Sequence, residues 1–311
     1  MRDSSFAASV LLSSPIGVAI GIAFASLGGY YTFMMATQPG RDQAVEEDTT
    51  NEPTFLTYQP YEPPHTLWTD WQVLRAMWFA KITGEDLQTR LDCFYETQAD
   101  LYDSYRFRML HGRPKMLRGV ARHVEPKKDG IVWVDLACGT GANTENFAAS
   151  LRDGNIQKVY LVDLCRPLCQ VAKRERGQKY GQDKVQVVHG DVTNEDLDGL
   201  PPAGTVDLVT ISYSLVMIPD WKKCIANAKR LLRPGGTLGV ADFTVAPDQS
   251  SLSKKFWVDT FEKDHVFLKA AHLPTLQEEF KELEASYGYG PLPYTPFFLK
   301  PAYYHFVGQK K

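Results

Sequence analysis

The chain has 311 residues, 44% of them hydrophobic, with a formal charge of -3 and a pI near 6.2. That length holds one generous α/β domain with extensions, and the lack of a basic surplus argues against a nucleic-acid partner. Five scattered cysteines argue against a disulfide scaffold, and Cys165 and Cys169 are followed by no second Cys or His pair at ligand spacing, so no metal is expected.

From Phe6 to Thr37 no side chain is charged, and the run Ile16 to Phe24 is densely apolar. About 20 such residues span a bilayer, and Tyr30, Tyr31 and Phe33 are of the kind that settle at its interface. Residues 1–37 are expected to form a hydrophobic, single-pass membrane anchor, with the rest of the chain facing the cytosol. Pro15, Gly17, Gly21, Gly28 and Gly29 weaken a helix there, and a targeting peptide or an interfacial helix is the alternative. Residues 38–65 read as a linker, because Pro39, Gly40, the acids Glu46, Glu47 and Asp48, and Pro53, Pro60, Pro63 and Pro64 oppose regular structure. Residues 66–311 are then the main domain, divided into a helical cap at 66–125 and a core at 126–311.

In the cap, Trp68, Trp71, Leu74, Met77 and Trp78 recur at helical spacing, which predicts a helix from Trp68 to Ala80. Further helices are predicted from about Glu85 to Tyr102 and from Arg113 to His123. After Pro126 strands alternate with helices, the pattern of a mainly parallel sheet covered on both faces. The predicted strands are Ile131 to Leu136, Lys158 to Val162, Val185 to His189, Val206 to Ser212 and Thr237 to Phe243. Helices fall between them at about Thr144 to Arg152, Pro167 to Tyr180 and Trp221 to Leu232.

The first strand runs into Asp135-Leu136-Ala137-Cys138-Gly139-Thr140-Gly141. Glycines at such a turn let the backbone approach a nucleotide closely, although a tight structural turn gives the same pattern. Asp163 ends the second strand, where an acid can accept hydrogen bonds from both ribose hydroxyls. The third glycine of a dinucleotide fingerprint is missing, since position 144 is Thr. Gly190-Asp191-Val192 follows the third strand, where an acid and an amide can read an adenine edge, and Arg233-Pro234-Gly235-Gly236 precedes the fifth.

This order resembles the class I S-adenosylmethionine-dependent methyltransferases over about residues 115–245. The resemblance implies an α/β, Rossmann-like fold with S-adenosylmethionine as cofactor. It also implies that Asp135, Gly139, Gly141, Asp163 and Asp191 contact the cofactor, with Ala137, Leu164, Val192 and Ser212 beside them. The flanking segments Phe94 to Arg106, Leu110 to Arg113, Ser212 to Asp220, Pro291 to Tyr294 and Pro301 to Tyr304 resemble the methyltransferase part of betaine-lipid synthases, a likeness covering about residues 66–311. Those enzymes trimethylate the amine of diacylglyceryl-homoserine. The aminocarboxypropyl transferase half of their fused form is not part of this sequence, so the resemblance implies a separate enzyme that makes the homoserine lipid. Its acceptor is a lipid or small molecule at a membrane surface, with a phosphoethanolamine lipid or a quinone precursor as the alternative.

Methyl transfer needs donor and acceptor held in line and the amine deprotonated. Tyr102, His111 and Tyr213 are the candidate catalytic residues, with His189 and Asp220 as further proton acceptors; a structural role competes for each histidine. Aromatic faces attract quaternary ammonium groups, which brings Tyr105, Tyr294, Tyr303 and Trp221 into consideration. A carboxylate on the acceptor suits a bidentate arginine, for which Arg106, Arg108 and Arg113 are candidates. The segment from Tyr294 to Leu299 faces lipid in this reading or covers an edge strand ending at Tyr303 to Gly308.

Overall fold

The computed structural model describes residues 54–79, 84–296 and 298–311. The anchor expected at 1–37 and residues 38–53 of the expected linker lie outside the described residues. No helix among the described residues is long and apolar enough to cross a membrane.

Seven strands form one sheet in the order β3-β2-β1-β4-β5-β7-β6. They are β1 (Ile131–Leu136), β2 (Ile156–Asp163), β3 (Val185–His189), β4 (Val206–Ser212), β5 (Leu232–Thr244), β6 (Phe280–Tyr289) and β7 (Ala302–Lys310). The first five pair in parallel, and β7 runs antiparallel to both β5 and β6. A parallel strand covered on both faces has to be apolar on both faces, and the run Ile-Val-Trp-Val-Asp-Leu of β1 is buried almost throughout. Because β1 lies between β2 and β4, the chain leaves it in opposite directions on its two sides. The crevice at the carboxyl ends of β1 and β4 is therefore open to a ligand.

β1, β3 and β4 lie where the sequence predicts them, while β2 and β5 are longer. β5 begins at Leu232 and takes in the Arg-Pro-Gly-Gly run through an irregularity in its pairing with β4. β6 was not anticipated. Its Lys281 and Glu282 face solvent on the sheet edge, where charge blocks strand-to-strand aggregation, and they hide the alternation that marks a strand. The expected edge strand at Tyr303 to Gly308 is instead interior: β7 is buried from Ala302 to Gly308 between β5 and β6.

Ten α-helices among the described residues pack on and beside this sheet, one of them the single turn Gln178–Tyr180. The first four are α1 (Leu67–Phe79), α2 (Leu87–Tyr95), α3 (Tyr102–Arg106) and α4 (Gly112–His123). The others are α5 (Ala148–Asp153), α6 (Arg166–Ala172), α7 (Trp221–Leu231), α8 (Ser251–Phe261) and α9 (His272–Glu279). One face of the sheet packs α7 and α9 around Leu136, Ile211, Val240 and Phe306. The other packs α4 and α5 around Trp133, Leu161, Leu208 and Val307. Helix α4, expected in the cap, thus belongs to the core layer; its Met116, Leu117 and Val120 are wholly buried. The cap consists of α1, α2 and α3, with α8 and the 291–299 segment joined to it through a separate apolar cluster containing Val73, Leu74, Tyr105, Trp257 and Leu292.

Three expected helices are broken, the one predicted from about Thr144 to Arg152 being a 3-10 turn as far as Phe147 and α-helix only from Ala148. The one predicted from Glu85 to Tyr102 starts with Asp86 accepting from the Thr89 amide at 2.8 Å, then stops after Tyr95. There the buried Gln98 donates its amide to the Phe94 carbonyl at 2.8 Å, satisfying an end the helix leaves open. The helix predicted from Pro167 to Tyr180 widens into a π turn at Lys173–Gly177, which turns Arg176 inward.

The proline-rich stretch from 54 to 65 has no regular structure, as expected, yet it is docked on the core. The Thr57 and Gln59 amides donate to the Ser150 hydroxyl and the Asn146 carbonyl, each at 2.8 Å, and Leu56 is 0% exposed. Leu56→Ala should therefore destabilise the protein by about 2–4 kcal/mol in urea unfolding. A loss below about 0.5 kcal/mol, the value for a free surface position, would mean that this segment is not part of the folded unit.

Candidate active site

A cleft of about 300 Å³ opens at the carboxyl ends of β1, β2 and β4 and runs under the cap. Its floor is the turn after β1. Ala137, Gly139 and Gly141 all adopt left-handed backbone, with φ of 52°, 59° and 71°. At Gly141 a Cβ would stand 2.5 Å from Leu161, so only glycine fits. At Gly139 the direction of an added Cβ leads towards the Tyr102 ring, 3.7 Å away, across the open cleft. A side chain there would occupy the space a ligand needs.

Asp163 pins this turn. One carboxylate oxygen accepts the Gly139 amide at 2.7 Å and the other accepts the Cys165 amide at 2.8 Å. Burial pushes its carboxyl above the usual range while those amides pull it down. Asp135 lies beneath the floor rather than in the cleft. It is fully buried, accepts from the Thr210 hydroxyl at 2.5 Å and from the Asn143 amide at 3.1 and 3.2 Å, and is pushed up to about 6 by burial. Asn143 also reaches the Ser212 hydroxyl at 3.1 Å, so it braces β1 against β4. Asp191 stands exposed at the rim and accepts from the Thr193 amide and hydroxyl, both at 2.8 Å.

The roof comes from the cap. Tyr102 covers the Gly139 backbone, and Asp103 ties its helix down, accepting from the Thr140 hydroxyl at 2.5 Å and from Arg176 at 2.8 Å. Arg176 is only 4% exposed and also faces Glu145 at 3.3 Å. The far wall is the segment after β4, where Tyr213 holds φ at 55° and its hydroxyl oxygen accepts the Gly112 amide at 2.9 Å. Burial drives both the Tyr102 and Tyr213 phenols well upward, so they stay neutral.

Of the expected cofactor contacts, the cleft gathers Ala137, Gly139, Asp163, Leu164, Asp191, Val192 and Ser212; Asp135 and Gly141 shape the turn from below. Tyr102, Tyr213 and Arg113 also line it. The other candidates do not. His111 binds the Pro291 carbonyl through Nε2 at 2.7 Å and stacks on Tyr303, and burial lowers its pKa, so this nitrogen is the protonated one and is committed. Tyr105 is buried under the Arg108 guanidinium, and Arg106 lies over the outer face of Tyr102. Arg108 pairs with Asp70 at 2.5 Å, and the Tyr294 hydroxyl donates to the same carboxylate. Tyr303 is packed in the cap cluster, and Trp221 is buried in the core against His272. His189 reaches the Leu164 carbonyl at 3.0 Å, whereas Asp220 lines the cleft mouth. Asp103, Thr140 and Asn143 were missed. Asp103 lies inside a segment already singled out for its aromatics, but its partner Arg176 reaches it only through the π turn.

An acid at the end of β2 beside exposed glycine backbone fits the ribose of a nucleoside. Residues 134–236 match the methyltransferase domain family. The ubiquinone/menaquinone biosynthesis C-methyltransferase UbiE of Hydrogenovibrio crunogenus is 27% identical over 68% of this chain and 77% of its own. The chain is an S-adenosylmethionine-dependent methyltransferase. The nocamycin O-methyltransferase of Saccharothrix syringae is 34% identical, over 40% of this chain, which spans only 44% of that relative. Among solved structures, the 1,6-didemethyltoxoflavin-N1-methyltransferase of Burkholderia thailandensis, with S-adenosylhomocysteine bound, aligns at a TM-score of 0.50 and 15% identity over 82% of this chain and 95% of its own. A Haloferax volcanii methyltransferase in complex with the Trm112 activator aligns at 0.51 and 17% identity over 73% and 99%. Both share the fold of this methyltransferase.

Asp163→Asn keeps the shape of the side chain but removes one acceptor and the charge. The dissociation constant for S-adenosylhomocysteine should rise about 10- to 100-fold in isothermal titration, the value of one or two charge-assisted hydrogen bonds. Unchanged affinity in a folded variant would remove Asp163 from the cofactor site.

Proposed function

We propose that this methyltransferase acts on the amine of a membrane lipid, converting diacylglyceryl-homoserine by successive methylation into the betaine lipid diacylglyceryl-trimethylhomoserine. The observation that carries the reading is the composition of the cleft beyond the glycine turn. Arg113 is the only cationic side chain lining it among the described residues, and Tyr95, Tyr102 and Tyr213 stand around it with Leu87, Leu91 and Leu110. An acceptor with a carboxylate, an amine that becomes quaternary and an acyl tail needs one guanidinium, aromatic faces and apolar surface. The flanking resemblance of the sequence supports the same substrate.

When bound, S-adenosylmethionine supplies an electrophilic methyl group on a sulfonium. The protein's part is placement. Asp163 and the Gly139 backbone hold the donor end, Arg113 clamps the acceptor carboxylate, and the two neutral phenols present their ring faces to the growing ammonium. The proton released from the amine leaves through the mouth, where Asp220 is exposed and its carboxylate pairs with Lys223 at 3.1 Å. Residues 1–37 tether the enzyme to the membrane holding its substrate, on the cytosolic side, and a separate aminocarboxypropyl transferase supplies the homoserine lipid.

A second reading is carbon methylation of a quinone ring, favoured by the UbiE similarity over 77% of that relative. Incubation with labelled donor and diacylglyceryl-homoserine, phosphatidylethanolamine or a demethylated naphthoquinol separates the cases. Label is expected in the homoserine lipid; label confined to the quinol or to phosphatidylethanolamine would overturn the betaine reading. Arg113→Lys should raise the KM for the homoserine lipid about ten-fold, because a bidentate clamp becomes a point charge, with unchanged S-adenosylhomocysteine affinity. Loss of cofactor affinity instead would assign Arg113 to the donor. Removal of residues 1–37 should leave activity on dispersed lipid but release the protein from membranes, read by sedimentation; a truncated protein that still pellets would refute the tether.

A further inference from the structure

Asp242 lies near the end of β5, 0% exposed, and makes no ion pair among the described residues. A buried carboxylate without a cation costs several kcal/mol unless hydrogen bonds replace its water. Here the replacements are backbone amides. Oδ2 accepts from Ser214 at 3.1 Å and from Val216 at 3.3 Å, and Oδ1 accepts from its neighbour Phe243 at 2.8 Å. Two of these three amides belong to the segment that turns away from β4. That segment supplies Tyr213, Ser214, Met217 and Ile218 to the cleft wall. Tyr213 is held in left-handed backbone there, its amide bound to the Ala241 carbonyl at 2.7 Å and its ring edge-on to Phe243 at 4.7 Å. A non-glycine residue in that conformation persists only where its surroundings over-determine it.

We propose that Asp242 is a positioning residue for the methyl acceptor: its buried carboxylate gathers the amides of the Ser214–Val216 turn and so fixes the Tyr213 ring against the acceptor side of the cleft. The cofactor side, built on Asp163 and the Gly139 backbone, shares no hydrogen bond with it. Asp242 therefore governs acceptor binding and leaves donor binding alone. The designation of that wall as the acceptor side rests on the function proposed above.

The arrangement also has a pH signature. Burial pushes the Asp242 carboxyl up to about 7, against the pull of the amides. The titratable groups facing it are Tyr213 from the turn and Tyr304 from β7, both driven upward by burial and neutral throughout this range. A raised acid pKa means that the closed turn binds more protons than an opened, solvated one. The closed form is thus most favoured at low pH and loses that advantage as pH rises towards 7, with no further change above it.

The test combines one variant with an exchange measurement on the wild-type protein. Asp242→Asn turns an N–H group towards amides that need an acceptor. In the folded variant, the KM for diacylglyceryl-homoserine in mixed micelles should rise about ten-fold or more, the cost of leaving a buried amide without its acceptor, with unchanged S-adenosylhomocysteine affinity. Unchanged KM, or cofactor affinity falling equally, overturns the proposal. In the wild-type chain, protection of the Ser214 and Val216 amides, corrected for intrinsic exchange, should fall between pH 5 and 7 by up to about ten-fold per unit, one proton's worth, then level off. If the variant fails to fold, this slope decides, and a flat profile overturns the proposal. If the homoserine lipid takes no label at all, the substrate reading fails while the exchange slope still reports on Asp242.

Discussion

Two amides meeting one carboxylate organise the glycine-turn half of the cleft. Asp163 takes the Gly139 amide on one oxygen and the Cys165 amide on the other. It thereby joins the end of β2 to the turn after β1 and to the start of α6. The turn cannot hold itself, since three of its residues sit in left-handed backbone and one of them, Ala137, carries a Cβ that opposes it. Strand pairing fixes where β1 and β2 end, and the carboxylate fixes what the chain does next. The same group remains at the cleft surface with lone pairs to spare, so the interaction that shapes the turn also leaves an acceptor facing the cleft.

The cap is held to this turn by charge. Asp103, Thr140, Arg176 and Glu145 form a buried network linking α3, the glycine turn and the π turn after α6. The Arg176 guanidinium also lies 5.6 Å from the Tyr61 ring, which brings the docked 54–65 stretch into the same joint. Buried ion pairs contribute little net stability, because desolvation offsets most of the attraction, but deleting one partner is costly. Their effect here is location. An apolar cap could slide over an apolar cleft; one anchored by a guanidinium in a π turn that bridges Asp103 and Glu145 has a single register.

This difference explains what the sequence discloses. The glycines, Asp163 and the strand ends that carry them are near in sequence or repeat at the period of a βα unit, so a local reading finds them. Contacts such as Asp103 to Arg176 or Tyr294 to Asp70 join residues 73 and 224 positions apart, and no periodicity announces them. The conspicuous histidine and tyrosines illustrate the consequence. His111, Tyr105 and Tyr303 have the chemistry of a site but are used for packing, because the cap needs amphipathic side chains to close an apolar cluster around polar backbone. β6 escaped notice for the opposite reason: an edge strand carries charges that a buried strand forbids.

The half of the cleft assigned to the acceptor in the proposed function follows a different rule from the glycine-turn half. Arg113, the one cation lining it among the described residues, is in the first turn of α4, and α4 is packed against β5 and β7 as part of the core. Its aromatic wall, Tyr213, is bound at the phenol by the Gly112 amide, at the backbone by Ala241 and, through its neighbours, by Asp242. The guanidinium and the ring are therefore set by adjacent residues of one helix start and one strand end, whereas Tyr102 arrives on the separately anchored cap. On the proposed function, a zwitterionic head group needs its carboxylate and ammonium held at a fixed separation before methyl transfer can occur in line. In that reading, the Arg113 guanidinium and the Tyr213 ring, mounted on the same layer, meet that need, and the cap has only to close the space above them.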